Sequence, residues 1–341
     1  MESGKGAVLV TGAGGFVGSA VVRLLVKSLR NASLRFWDGS PVKHVVALLR
    51  PGGSTERLEE LPRSNDWSIE YADMADRKQL GGLLNRARPK AVLHVAAARE
   101  IFGDLTEAER NQVNVTPLEI LFEGLVGVPG ARLIHTSSAW VLPAGERLDE
   151  GSELEPLSAY AENKAQLDKL LPILHKRTGV NWINLRLFNM FGKYENESRL
   201  LPYLVSRLTM SKVANLSSGD QIRDFSDVED VARSYLLALQ ADESICGNVY
   251  HIGSGRGITL RDFSSAVADV TGNSHLIHYD TIETRDQYLP CQVADPTRAG
   301  RFLHWFPAGD LEDRIRETVR WWLRRWRAVT RSGGERRATA L

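Results

Sequence analysis

Tyr160 and Lys164 stand four residues apart in the segment Tyr160-Ala161-Glu162-Asn163-Lys164. On a helix, that spacing makes the two side chains neighbours on one face. An ammonium beside a phenol favours the phenolate and draws a tyrosine pKa down from about 10 toward an enzyme's working range. Such a tyrosine takes a proton from an alcohol as hydride leaves, or gives one to a ketone as hydride arrives. Ser137 and Ser138 close an apolar run upstream of that helix. A hydroxyl there can hydrogen-bond a reacting carbonyl oxygen and steady its developing charge.

Hydride chemistry needs a carrier, and a second group of residues offers a place for one. The first apolar run ends in Thr11-Gly12-Ala13-Gly14-Gly15-Phe16-Val17-Gly18, and a helical pattern follows. Gly12 permits a tight turn, Gly15 lets backbone N–H groups approach a pyrophosphate, and Gly18 lets the helix pack closely on the strand. The helix N-terminus adds free N–H groups and a positive dipole end. The position between a first strand and a first helix is what gives the glycine triplet its meaning as a dinucleotide site. An NAD site normally has an acid at the end of the second strand, for the ribose 2′-hydroxyl. Here that strand reads His44-Val45-Val46-Ala47-Leu48-Leu49-Arg50-Pro51, with Arg50 at the expected place. An arginine can pair with a 2′-phosphate, so NADP(H) is favoured, with NAD(H) as the other cofactor to consider. Asp73, after the third strand, is a candidate partner for the adenine amine. As a turn or N-cap aspartate it would have a purely structural role.

The elements that must position these residues follow from the pattern. Short apolar runs at Ala7–Thr11, His44–Leu49, Trp67–Tyr71, Ala91–Ala96, Arg132–Ser137 and Trp182–Leu187 alternate with helical patterns at Gly18–Leu29, Arg77–Arg88 and Thr116–Leu125. Alternation of this kind predicts βαβ units, and so an α/β fold built on a Rossmann-type, doubly wound parallel sheet. A long helix is expected from Pro156 to Lys176, kinked or shortened at Pro172. After Asn189 the pattern loosens into a smaller C-terminal lobe. Residues 1–188, with returning segments near 223–255, are expected to form the cofactor domain, 189–330 the substrate lobe, and 331–341 a disordered tail. The last helix, near Leu311–Ala328, carries an apolar stripe at Ile315, Val319, Trp322 and Trp326. Its arginines, Arg314, Arg316, Arg320, Arg324, Arg325 and Arg327, read as a solvated face.

Composition narrows the function. The 341 residues are 43% apolar, enough for one large α/β unit or two joined lobes. Lys plus Arg number 43 against 42 Asp plus Glu, so no basic excess points to nucleic acid. Cys246 and Cys291 lie far apart without CxxC spacing, which suggests neither a disulfide framework nor a metal site. No secretory signal or membrane span stands out, and the chain is expected to be soluble and cytoplasmic.

Taken together, these residues resemble the extended short-chain dehydrogenase/reductases of the NAD-dependent epimerase/dehydratase family, which act on nucleotide sugars. The resemblance runs from about residue 6 to about residue 325. Beyond the glycine loop and Tyr160 to Lys164, it is carried by Asp73, His94-Val95-Ala96-Ala97, Asn114 and Thr136-Ser137-Ser138-Ala139. It continues in Arg186-Leu187-Phe188-Asn189-Met190-Phe191-Gly192, Arg223-Asp224-Phe225, Val228-Glu229-Asp230 and Val249 to Gly255. It implies Ser138, Tyr160 and Lys164 as the catalytic trio. Ser138 is preferred to Ser137 because the family serine is followed by a small residue and then, two further on, a valine. It implies cofactor contact at Gly12, Gly15, Phe16, Val17, Gly18, Arg50, Asp73, Met74, Ala96, Asn114, Tyr160 and Lys164. It implies substrate contact at Ser138, Asn189, Arg223 and Arg285, where guanidinium forks suit diphosphate oxygens. A homodimer is implied as well.

The chain also departs from the family. Val141-Leu142-Pro143 replaces the frequent valine-tyrosine-glycine, and Asp286-Gln287-Tyr288 follows Arg285 where glycine-aspartate is usual. The family's 4,6-dehydratases follow their threonine with an Asp-Glu pair, whereas Ala139-Trp140 follows Ser138 here. These features lead to an expected NADPH-dependent reduction of a nucleotide-activated 4-keto-6-deoxy sugar. The alternatives are an NAD-dependent nucleotide-sugar 4-epimerase and, in another class, a non-catalytic NADP-binding sensor.

Overall fold

A computed structural model describes residues 6–97, 106–283 and 289–331. Strands β1 (Ala7–Thr11), β2 (His44–Leu49), β3 (Trp67–Tyr71), β4 (Ala91–His94) and β5 (Arg132–Ser138) come first. They are joined through helices α1 (Phe16–Arg30), α2 (Arg77–Ala87), α3 (Glu107–Arg110) and α4 (Thr116–Leu125). A π-helical turn, Asn111–Val115, separates α3 from α4. Then follow β6 (Gly145–Leu148), α5 (Ala159–Thr178), β7 (Asn181–Leu187), β8 (Asn189–Phe191), α6 (Leu200–Thr209), β9 (Ala214–Asn215), β10 (Ile222–Asp227) and α7 (Val228–Gln240). The chain continues through β11 (Asn248–Ile252), β12 (Gly257–Thr259), α8 (Leu260–Thr271), β13 (Ile277–His278), β14 (Cys291–Ala294), α9 (Thr297–Leu303) and α10 (Leu311–Arg331).

Seven strands form one parallel sheet in the order β11-β7-β5-β4-β1-β2-β3. The chain starts in the middle and winds outward both ways, which is the doubly wound arrangement expected. Near-continuous apolar strands such as β1 and β2 need cover on both faces. One face packs Val8, Val10 and Ile134 against α1 and α7 residues such as Val22 and Tyr235. The other packs Leu9, Val92 and Leu133 against Leu83, Phe122 and Leu171 of α2, α4 and α5. Strand order reverses between β1 and β4. In such sheets ligands bind at that reversal, beyond the carboxyl ends of the strands.

A second sheet runs β12-β10-β14-β6, with β8 also pairing with β10. Below it α6, α8 and α10 close a separate core around Phe191, Phe225 and Phe263, where Phe225 and Phe263 stack with centroids 4.1 Å apart. Ile315, Val319 and Trp322 enter this core and Trp326 packs at its edge, as the stripe on the last helix requires.

Some expectations change. β4 stops at His94 rather than Ala96, because the Ala96 N–H leaves the ladder to bond the Thr11 hydroxyl beside the glycine loop. α5 starts at Ala159, where the Ser158 hydroxyl caps it by accepting the Ala161 N–H at 3.2 Å. It runs unbroken to Thr178, and Gly179 ends it at φ +73°. Pro172 does not shorten it and stands on an exposed face. The arginines of α10 are not a uniformly solvated face. Arg314 pairs with buried Asp230 at 3.4 Å. Arg325 pairs with Glu56 and lies over the Tyr194 ring, tying α10 to the loop after β2. Arg316 pairs with Asp313 along the helix, and Arg320 and Arg324 are exposed as expected. Among the described residues no helix is long and apolar enough to cross a membrane. Arg285 and residues 332–341 lie outside the described residues.

Candidate active site

The glycine loop sits where β1 ends. Gly12 has φ +65°, and a Cβ there would lie 2.8 Å from the backbone of Ala96, so only glycine fits. At Gly18 a Cβ would lie 2.2 Å from the Gly12 carbonyl oxygen, which explains how closely α1 approaches β1. Gly15 is the N-cap of α1 and supplies no capping side chain, and Phe16 and Val17 open the first turn, which holds no acidic residue. The first-turn N–H groups therefore meet neither a capping oxygen nor a repelling carboxylate. These residues fit a dinucleotide pyrophosphate.

Thr11 ties the loop to β4. Its hydroxyl accepts the Ala96 N–H at 3.1 Å and shares a hydrogen bond with Nδ1 of His94 at 2.9 Å. His94 is buried, and burial with the nearby Lys164 charge pushes its pKa down to about 3, which keeps it neutral.

Arg50 follows directly on β2 and is exposed, with no ion pair among the described residues. Arg57, seven residues on, donates to the carbonyl of Gly14 at 3.2 Å and to that of Tyr194 at 2.9 Å, fastening this loop to the glycine loop. Asp73 is exposed, and its carboxylate closes a local turn by accepting the Ala75 N–H at 2.9 Å. The N-cap of α2 is Asp76 instead, which accepts from Lys78 and Gln79. Met74 packs partly buried against the core on the α2 and α4 side.

Ser138 ends β5, buried, and its hydroxyl oxygen accepts the Trp140 N–H at 3.3 Å. Tyr160 lies half-buried in the first turn of α5. Lys164 is buried and donates to the carbonyl of Thr136 at 2.7 Å, which aims its ammonium at the carboxyl end of β5. Burial lowers the Lys164 pKa to about 8, against the opposing pull of the Asp168 carboxylate. The trio is thus collected by one strand end and one helix face. Asn114 lies within the π-helical turn, and such turns recur at functional sites. Its amide donates to the Asn163 side chain at 2.7 Å, joining that turn to α5. Asn163 carries no motif of its own in the sequence. Its signal was position, three residues after Tyr160 on the same helix face.

On the lobe side, Asn189 on β8 pairs in register with Phe225 of β10, which brings Asn189 beside the strand that carries buried Arg223. Arg223 donates to the Ile222 carbonyl at 2.8 Å. Asp224 next to it accepts from Ser254, Gly255 and Ala294, fixing β10 against the loop after β11 and against β14. Among the described residues no cluster of three or more histidine, cysteine, aspartate or glutamate side chains forms a metal site.

The NAD dependent epimerase/dehydratase family model matches residues 8–253, and the chain belongs to that family. It is an enzyme of the extended short-chain dehydrogenase/reductase type. It is 26% identical to the dTDP-glucose 4,6-dehydratase of Salmonella typhimurium, over 93% of this chain and 92% of the relative. A crystal structure of dTDP-glucose 4,6-dehydratase from Streptomyces venezuelae with NAD bound superposes with TM-score 0.80 at 26% identity, covering 94% of this chain and 98% of that one. The UDP-glucose 4-epimerase of Thermotoga maritima, solved with UDP-glucose, shares the fold with TM-score 0.79 at 22% identity, over 94% and 99% of the two chains.

Proposed function

We propose that the chain uses NADPH to reduce the 4-keto group of a nucleotide-activated 6-deoxy sugar. The observation that carries this reading is the end of β2, where exposed Arg50 replaces the acid that would bind a 2′-hydroxyl. A guanidinium fork suits a phosphate there. The residues after Ser138 support the choice. Ala139 is buried in an apolar cluster and the Trp140 indole does not ionise near neutral pH, so the acid and base that water elimination needs are missing at this place. The similar dehydratases named above have a different reaction, and the likeness to them extends to fold and substrate class.

When bound, the nicotinamide supplies hydride to the carbonyl carbon. Ser138, whose oxygen already accepts the Trp140 N–H, has its own proton to donate to the carbonyl oxygen. Tyr160 gives its phenolic proton to that oxygen as it becomes an alkoxide. Lys164, seated on the Thr136 carbonyl, holds positive charge beside the phenolate that remains. Asn189, Arg223 and Arg285 hold the diphosphate. Residues 1–188, with returning segments near 223–255, serve the cofactor, and 189–330 serve the sugar nucleotide.

A 4-epimerase is the second reading, because the same trio serves it and the Streptomyces venezuelae relative holds NAD. Incubation of the protein with NADPH and dTDP-4-keto-6-deoxyglucose separates the two. Consumption of NADPH with formation of a dTDP-6-deoxyhexose supports the reductase. Unchanged NADPH, with interconversion of a UDP- or dTDP-hexose and its C4 epimer, replaces it with the epimerase.

A further inference from the structure

We infer that Asp168 is a positioning residue that keeps Lys164 charged and so governs how readily Tyr160 gives and takes its proton. The inference rests on the reading above that Tyr160 and Lys164 act together. Asp168 follows Lys164 by the same four-residue step that separates Lys164 from Tyr160, so the three side chains lie along one stripe of α5. Its side chain is 5% exposed. A charge in such a place is costly unless paired and hydrogen-bonded. Both oxygens are held. Oδ1 accepts from Asn184 at 2.8 Å, and Oδ2 accepts from Arg186 at 2.8 Å. Arg186 is itself buried, and it donates on its other side to Nε2 of His251 at 3.0 Å. Nδ1 of that ring donates to the Leu148 carbonyl at 3.0 Å.

A pair that only tied α5 to the sheet would need no charged groups, because a neutral pair of similar shape ties as well. The carboxylate here lies one helical turn beyond a buried ammonium. Among the described residues, the other groups around that ammonium offer it no negative charge. His94 on β4 and His135 on β5 are buried and pushed toward the neutral form, Arg186 on β7 is cationic, and Tyr160 is the group being served. Burial pulls the Lys164 pKa down, and Asp168 is the group that opposes it.

An ultraviolet difference titration tests this without substrate. Wild type minus Tyr160→Phe isolates the ionisation of one of the eight tyrosines. The same difference is taken in Asp168→Asn. It is also taken in Asp168→Asn/Arg186→Met, which leaves no orphaned buried cation if the single variant does not fold, and thermal melts establish which backgrounds are folded. Tyr160 is expected to ionise about one pH unit higher in the folded neutral backgrounds, with Asp168→Glu staying near wild type. An unchanged titration in a folded neutral background overturns the role of Asp168 while leaving the Tyr160–Lys164 reading intact. A wild-type titration like that of an exposed phenol overturns that reading, and this inference with it.

Discussion

Replacing His251 with glutamine should remove about 2 kcal/mol of the stability that the protein loses between pH 7.5 and pH 5. His251 is fully buried in β11. Its Nδ1 lies 3.0 Å from the Leu148 carbonyl and must carry the proton. Its Nε2 lies 3.0 Å from an Arg186 N–H and must accept. Both nitrogens are committed, and a second proton would face the guanidinium. Burial first, and Arg186 second, push the pKa from 6.5 down to about 3. The folded value lies below the unfolded one, so the unfolded chain takes up the proton first as pH falls. The stability is whole above 6.5, drains below it and stops draining near the folded value. At pH 5 the difference amounts to about 2 kcal/mol, and any folded value under about 4 gives nearly the same figure. A glutamine amide offers one N–H to Leu148 and one oxygen to Arg186 but does not titrate. Groups common to both proteins cancel in the comparison. One is Asp227, which burial pushes up to about 6 and which acts in the opposite direction over this range. Urea unfolding of both proteins at pH 7.5 and pH 5 is the assay. If His251→Gln loses as much stability as wild type over that interval, His251 is not held neutral and the buried network is misread.

Other predictions follow from the site. Gly18→Ala forces a Cβ to within 2.2 Å of the Gly12 carbonyl, so the glycine loop must move. Fluorescence titration should show NADPH binding clearly weakened, and affinity within twofold of wild type would contradict the close approach. Tyr160→Phe should lower turnover by about 10²–10⁴-fold with cofactor affinity retained, and unchanged turnover would remove Tyr160 from the chemistry. Trp305→Ala empties a fully buried site and loses the indole donor to the Asp230 carbonyl at 2.8 Å. Urea melts should register a loss of about 3–5 kcal/mol.

Much of the scaffold was legible because local pattern and tertiary demand agree. β1, β2 and β3 fall where their apolar runs fall, since each strand is short and bounded by polar, glycine or proline residues. The glycine loop was legible for a stronger reason, because no other residue fits at Gly12 or Gly18. β6 was missed. Its sequence, Gly-Glu-Arg-Leu, has no alternation to read, and it becomes a strand only because β14, far along the chain, pairs with it. The Arg314–Asp230 and Arg325–Glu56 pairs were invisible for the same reason, since their partners come from other elements. Asp168 is a different case. The four-residue spacing that selects Tyr160 and Lys164 reaches it too, but only the burial of its partner Arg186 shows that the carboxylate is held. Asp73 shows the opposite limit, since one residue type serves a turn, a cap or a ligand equally well until its neighbours are placed.

In the proposed function, Arg50 marks an exchangeable NADP(H) site. The direct test is titration of NADPH and NADH into the purified protein and into Arg50→Leu, with analysis of any nucleotide that co-purifies. Wild type is expected to prefer NADPH by about tenfold or more, to exchange its cofactor freely, and to lose the preference in Arg50→Leu. NAD that stays bound through purification, with binding indifferent to Arg50, would contradict it and leave the epimerase in its place.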